Sequence, residues 1–199
     1  MRGRPEPASD AAPGRVCGTC SLCCTVLRVD PLRKLGGVDC VHQRGGEAGC
    51  AIHGRAERPA LCGAYRCAWL KGQLDLADRP DRLGATVDLV APGGAPVLAI
   101  VEARRGAFDA SPRLQAIAAR FRASMPVRIT AAADALDRGL PSRILRPDGS
   151  ELRVRGDRVE EWRDGALVRA TRAGAIERAA RRVALAWQRL RVRGYRGAG

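Results

Sequence analysis

The pattern of apolar and polar residues beyond about residue 80 predicts a sheet built from short strands. Runs rich in β-branched residues at 86–90 and 97–102 flank Pro92-Gly93-Gly94, which predicts a β-hairpin. A further short strand is predicted at 127–130. The turn sequences Pro147-Asp148-Gly149 and Asp164-Gly165 separate alternating runs and predict two more hairpins. Their predicted strands cover residues 143–146, 151–155, 159–163 and 166–169.

Two longer segments have the periodicity of amphipathic helices. Ser111 precedes Pro112, a combination that favours a helix start with serine as the N-cap. Apolar residues then recur at helical spacing at Leu114, Ile117, Ala118 and Phe121. A last helix is predicted over residues 173–191. One face of it carries Ile176, Ala180, Val183, Trp187 and Leu190, and we expect this face to dock the helix onto the rest of the protein.

The cysteines divide the chain into two compositional regions. All eight lie between Cys17 and Cys67, and the last 132 residues contain none. We therefore predict a disordered tail at 1–14, a cysteine module at 15–80 and a small α+β region at 81–199, the last two either separate or forming one domain. The expected fold is α+β, with a loop-rich, metal-bound cysteine module packed on a small, mostly antiparallel sheet with two helices.

The spacing of the cysteines favours metal ligation. A tetrahedral thiolate site needs ligands on tightly turning backbone, which the C-x₂-C spacing supplies. Two such steps overlap here, as they do in iron–sulfur proteins, and several sulfurs are expected to converge around a common point. Adjacent side chains point in different directions, so Cys23 and Cys24 are expected to serve different metals, or one of them to lie outside the ligand set. The predicted ligands are Cys17, Cys20, Cys23, Cys24, Cys40, Cys50, Cys62 and Cys67.

Two other interpretations of the cysteines are possible. Single cysteines are commonly small buried apolar residues, but eight within 51 positions are too many for that alone. A disulfide framework requires an oxidising compartment, and the polar, proline-broken N-terminus has no apolar stretch typical of a secretory signal. The expected location is therefore the cytoplasm, where zinc or iron, including the iron of a 4Fe–4S cluster, is the expected cofactor.

These residues resemble the YkgJ-type cysteine-cluster family, to which zinc or iron chelation is attributed. The matching positions are Cys17 to Cys24, Cys40, Gly49 to Ile52, Arg58 to Cys62, Tyr65, Cys67 and Trp69. His53 stands where the family commonly has tyrosine. The resemblance covers roughly residues 15–80 and implies a metal-chelating module at that end of the chain.

Four other side chains near the cysteines were candidates for a role in the site. Tyr65 and Trp69 flank Cys67 and could shield sulfur from water, although plain core packing explains them equally well. His42 and His53 are the only histidines. Either could ligate zinc or iron, but eight thiols make neither necessary.

The charge of the chain raises the question of nucleic acid. The formal net charge is +14, and almost all of the positive charge is arginine, because Lys34 and Lys71 are the only lysines. Basic proteins bind nucleic acid through such charge, yet arginine is enriched throughout this chain. The arginines of the last helix are therefore expected to form a solvated surface. No apolar run approaches the roughly 18 residues of a membrane-spanning helix, so no membrane partner is expected.

Three functions remain open at this stage. The cysteine cluster could be a redox or metal-handling centre, could be a structural zinc module in a protein with an unknown protein partner, or could stabilise a nucleic-acid-binding half. Residues 81–199 contain no histidine and no phosphate-binding or nucleophile motif, so no catalytic site is predicted there.

Overall fold

The computed structural model describes residues 11–17, 19–44, 49–133 and 141–197. Most of the predicted tail at 1–14 lies outside these ranges. The helices are α1 (Leu22–Val26), α2 (Ala60–Ala64), α3 (Pro80–Leu83), α4 (Ala107–Ala110), α5 (Pro112–Arg122) and α6 (Ala175–Arg191). The strands are β1 (Ala85–Val90), β2 (Val97–Glu102), β3 (Val127–Ala131), β4 (Ser142–Leu145), β5 (Glu151–Arg155), β6 (Arg158–Arg163) and β7 (Ala166–Arg172).

The seven strands form one sheet whose spatial order follows the chain from β1 to β7. Every neighbouring pair is antiparallel except β2 and β3. A parallel pair requires a crossover connection, and α4 and α5 supply it. The predicted α+β class is confirmed, and the sheet is larger than expected. The two long helices were predicted, whereas the four short ones, each of four or five residues, were not.

Local sequence signals explain where the elements begin and end. The Ser111 hydroxyl accepts a hydrogen bond from the amide of Leu114 at 3.2 Å, which confirms the N-cap of α5. Asp164 and Gly165 both have positive φ, at 50° and 77°, as a two-residue hairpin turn between right-twisted strands requires. These signals depend on neighbouring residues only, and so they could be predicted from the sequence.

One apolar core cluster includes residues from both sides of the predicted boundary near residue 80. Trp69, Leu70 and Leu74 from the cysteine region pack with strand and helix residues such as Ile100 and Leu114. The amide of Ala68 donates to the carbonyl of Val87 in β1 at 2.8 Å. The Trp69 indole, which was a candidate cover for the sulfurs, instead packs in this core. The cysteine region is therefore attached to the sheet through buried side chains and backbone.

Two further contacts join the cysteine region to the sheet and α5. The carboxylate of Asp78, whose side chain is 1% exposed, accepts hydrogen bonds from Arg113 of α5 at 2.6 and 2.8 Å. Gly36 packs so closely that an added Cβ would lie 2.7 Å from the carbonyl oxygen of Ala132 and 2.9 Å from that of Val26. Only glycine fits this approach of backbone to backbone.

The expected docking of α6 through its apolar face is wrong. Ile176 is 88% exposed, and Val183, Trp187 and Leu190 are 63–70% exposed. The helix instead turns Arg178, Arg181 and Gln188 toward the body, where Arg181 donates to the carbonyl of Gly156 at 2.9 Å. Periodicity identifies which face of a helix is apolar, but not whether another element covers it. Among the described residues, no helix is both long and apolar enough to cross a membrane.

The close approach at Gly36 gives a test of how firmly the cysteine region is attached. We expect Gly36→Ala to destabilise the whole protein by about 1–3 kcal/mol, because the new methyl group meets two carbonyl oxygens that belong to fixed backbone. Urea unfolding measures the effect. The matched control is Gly63→Ala, whose Cβ meets no atom within 4 Å and which lies inside α2, so it should be neutral or stabilising. Equal stability of the two variants would contradict a rigid contact at Gly36.

Candidate metal centre

Seven of the eight cysteines line one small cavity. Its volume is about 30 Å³, and the cysteines are Cys17, Cys20, Cys23, Cys24, Cys40, Cys50 and Cys62. A volume of roughly 10–15 Å³ holds one water molecule, so the space has the scale of one or two ions. The eighth, Cys67, lies outside this lining and packs against the apolar core. All eight are free thiols, so the structure contains no disulfide framework.

Short helices and turns bring these cysteines together. Cys23 and Cys24 lie on α1, directly after the loop that carries Cys17 and Cys20. Cys62 lies on α2, which Pro59 begins at the N-cap position with φ −53°. Cys50 forms an antiparallel bridge with Gln43, and the amide of Gln43 donates to the carbonyl of Cys40 at 3.0 Å, so Cys50 and Cys40 lie close together.

The buried ammonium of Lys34 closes the end of α1. Lys34 is 1% exposed, and its Nζ donates to the carbonyl oxygens of Thr25, Leu27 and Leu35 at 3.2, 2.5 and 2.9 Å. The last carbonyl groups of a helix have no hydrogen-bond donor within the helix. At the end of α1 the Lys34 ammonium is the donor. Burial lowers the pKa of Lys34, while the nearby thiols of Cys40, Cys24 and Cys62 act to raise it.

Three cations therefore surround the sulfurs. Besides Lys34, Arg58 and Arg66 act to lower the pKa of Cys17, and Arg58 does the same for Cys62. The Nε of Arg58 is buried at the cavity wall and has no hydrogen-bond partner within the described residues. Sequence reasoning named Arg58 only as part of a motif and did not identify Lys34, although a lysine is a rare residue in this chain.

The thiols are hydrogen-bonded to each other and hold their protons strongly. The Cys17 thiol donates to Cys23 and is buried, which together raise its pKa well above the usual value. Cys23 accepts that bond, which lowers its pKa, but its own bond to Cys24 and its burial outweigh this and raise the pKa to about 12. Burial raises the pKa of Cys20 to about 11. Burial also raises the pKa values of Cys62 and Cys67.

The electrostatic contacts place seven of the cysteines in two groups and leave Cys24 between them. In the first group, Cys17 interacts with Cys20, Cys23 and Cys67. In the second, Cys62 interacts with Cys40 and Cys50. Cys24 contacts Cys23 of the first group and shares the neighbouring Lys34 with Cys40 and Cys62 of the second.

The sulfurs do not converge as expected. Within the described part of the chain, no group of three or more histidine, cysteine, aspartate or glutamate side chains is arranged to hold a metal ion. The physical reason is that protonated thiols bond to one another, whereas metal ligation requires thiolates. The donor set is nonetheless suited to zinc or iron, because soft thiolates select these metals and three cations offset the thiolate charge.

The remaining candidate residues have different surroundings. His53 lies at the cavity lining and is exposed, whereas His42 is half-buried outside it. Tyr65 is close to Cys67 and Cys23, and burial raises its pKa. The Tyr65 side chain thus lies close to the sulfurs, whereas Trp69 packs in the apolar core.

Comparison with protein-family models, curated proteins and solved structures finds no match to this chain. The resemblance to the YkgJ-type family therefore depends on the cysteine motif alone.

The raised thiol pKa values predict that the metal-free, reduced protein loses stability at alkaline pH. A thiol whose pKa is raised by folding contributes stability that is present below its unfolded pKa of about 8.5 and lost as pH rises toward the folded value. For Cys20 that window extends to about pH 11, and the loss approaches about 1.4 kcal/mol per pH unit. The lowered pKa of Lys34 makes stability rise with pH instead. Five thiols have raised pKa values, so a net loss of stability is expected.

Urea unfolding of the metal-free protein at pH 7, 8, 9 and 10 measures this loss. Cys20→Ala should make the decline with pH shallower, whereas Ser124→Ala, an exposed residue at the end of α5, should leave it unchanged. A stability that stays constant up to pH 10 would mean that the buried thiols ionise as easily as exposed ones.

Proposed function

We propose that this protein binds zinc or iron through its cysteine cluster, and that the eight thiols form two tetrathiolate sites. The first site consists of Cys17, Cys20, Cys23 and Cys67, and the second of Cys24, Cys40, Cys50 and Cys62. The observation that carries the proposal is the lining of one small cavity by seven of the eight cysteines. We also propose that the chain is a relative of the YkgJ-type family.

The charge around the sulfurs supports this assignment. Four thiolates around a divalent ion leave an excess of two negative charges, and burying such a charge without compensation is costly. Lys34 is placed at the second group, Arg66 at Cys17, and Arg58 at both groups. These three cations thus offset most of the four negative charges that two thiolate-bound divalent ions would leave.

The donor set indicates what the metal does. A site with four protein thiolates leaves no open coordination position, which is typical of structural zinc, and the same ligands hold iron for electron transfer. The residues of this chain bring the thiols together, exclude water by burial and neutralise their charge. These roles fit metal handling or redox rather than activation of a bound water. The cytoplasm keeps thiols reduced and available for metal ligation, which supports a cytoplasmic location.

Metal stoichiometry tests the two-site arrangement. Anaerobic reconstitution followed by metal analysis should give two equivalents of zinc per chain. Cys20→Ser and Cys67→Ser should each retain the ion of the second site, and Cys40→Ser and Cys50→Ser that of the first, so that every single variant binds about one equivalent. Ser124→Ala should retain two. Colour and absorption separate the metals in protein purified without added zinc, because iron–thiolate centres absorb visible light and zinc does not.

Two results would refute the two-site arrangement. If wild type binds one ion and several cysteines can be replaced without loss, the groups are not separate sites. If no variant changes the metal content, the cysteines are not the ligands at all.

A second candidate function is a structural zinc module in a protein that binds a partner. The exposed apolar face of α6 favours it, because contiguous exposed apolar residues often mark interaction surfaces. The rate of metal transfer distinguishes the two candidates. A handling site should release its ion to an excess of chelator while the circular dichroism spectrum remains native, whereas a structural site should release it only as the protein unfolds. Loss of metal and of fold at the same rate would favour the structural module.

A further inference from the structure

A second, larger cavity differs from the thiol site in being open to solvent and lined with arginine. Its volume is about 490 Å³, within the range of roughly 300–1,000 Å³ typical of small-molecule sites. It lies where the parallel strands β2 and β3 end, next to Glu102 and Ala131. The carboxyl ends of parallel strands are the usual location of ligand sites in open sheets.

The floor of this cleft continues the core face of the sheet. Side chains two residues apart, or directly opposite on neighbouring strands, share one face. The register places Ile100 beside Ile129, Ile129 beside Arg143, and Arg143 beside Arg153. Arg155, two residues beyond Arg153, lies on the same face. The face that is apolar on β2 and β3 therefore becomes positively charged on β4 and β5, beyond the part that α5 covers.

This arrangement places like charges directly opposite one another. Arg143 is the register partner of Arg153, and Arg155 that of Arg158. Like charges at opposite positions destabilise a sheet. Glu151 offsets the first pair by accepting from Arg143 and Arg153 at 3.0 and 2.7 Å.

Carboxylates neutralise the cleft only in part. Its described lining includes four arginines against the carboxylates of Glu102 and Asp109, and Asp109 forms an ion pair with Arg143. Glu102 is already engaged, since it accepts a hydrogen bond from the amide of Phe108 at 2.7 Å. Arg155 is exposed and forms no ion pair with any described residue.

Aromatic rings hold two of the guanidinium groups in position. Arg143 lies over the Phe108 ring, 5.5 Å from its centroid, and Arg153 lies 4.3 Å from the centroid of Trp162. Cation–π contacts of this kind fix the plane of a guanidinium. Arg143 and Arg153 are thus positioned before any ligand binds, which reduces the entropic cost of binding.

We propose that this cleft binds a small anionic molecule whose phosphate or carboxylate groups pair with Arg143, Arg153 and Arg155. Planar guanidinium groups bind both oxyanions through paired hydrogen bonds. Phe108 and Ile129 supply apolar walls for the rest of such a ligand. The cleft contains none of the eight cysteines, so this proposal does not depend on metal binding.

Calorimetric titration of the full-length protein, with its metal content held fixed, tests the proposal. The probes are inorganic phosphate, pyrophosphate and citrate at constant ionic strength. Pyrophosphate or citrate should bind with a Kd below about 1 mM, and the tighter of the two identifies the ligand as a phosphate or a carboxylate. Arg155→Gln should weaken that binding about tenfold, since it removes one charge-assisted hydrogen bond without breaking an internal ion pair.

The matched control is Arg182→Gln, which removes an exposed arginine from α6 and should leave the Kd unchanged. Arg143→Lys, with its fold verified by circular dichroism, keeps the charge but loses the paired geometry, and should also weaken binding. The proposal is overturned if none of the three probes binds when its concentration is about ten times the expected Kd. It is also overturned if Arg155→Gln and Arg182→Gln weaken binding equally, because the attraction would then be that of any basic protein.

Discussion

The attachment of Cys67 to the sheet is the constraint on which the cysteine region depends. The amide of the next residue, Ala68, pairs with Val87 of β1, and Trp69 and Leu70 follow it into the core with 6% and 4% exposure. The preceding region buries Val26, Val29, Leu35 and Ile52 outside the core cluster of the sheet, but a region of that size rarely folds on its core alone. Burial of Trp69 and Leu70 supplies stability that the thiols do not contribute. The compositional boundary near residue 80 is therefore not a boundary of the core.

A second constraint is the charge that the thiols require. A buried lysine is expensive unless its ammonium is fully hydrogen-bonded, and Lys34 meets this condition with three carbonyl oxygens. The same contacts close the end of α1, which carries Cys23 and Cys24. One side chain thus fixes the backbone of two cysteines and places a positive charge beside the second group of sulfurs. Removing the charge would disturb the geometry as well, so structure and electrostatics cannot be separated at this position.

The sequence could predict features set by neighbouring residues, and it could not predict those set by distant ones. The turn at Asp164 and Gly165 and the N-cap at Ser111 follow from local chemistry, and both are confirmed. The C-x₂-C spacing likewise brings Cys17, Cys20 and Cys23 together. The grouping of Cys62 with Cys40 and Cys50 depends on how α2 packs, which no spacing reveals. The predicted docking of α6 is wrong for the same reason, because the periodicity of the helix is correct but no element among the described residues covers its apolar face.

The ends of α6 explain how its apolar face is held in solvent. At the start, the amide of Ala173 donates to the carbonyl of Asp157 at 2.8 Å. Beyond the helix, Val192 is 1% exposed, and the amide of Arg196 donates to the carbonyl of Arg33 at 2.8 Å. The helix is thus fixed at one end to the β5–β6 turn and at the other to the residue before Lys34. Because Arg33 directly precedes Lys34, this hydrogen bond attaches the segment after α6 to the segment that carries the buried ammonium.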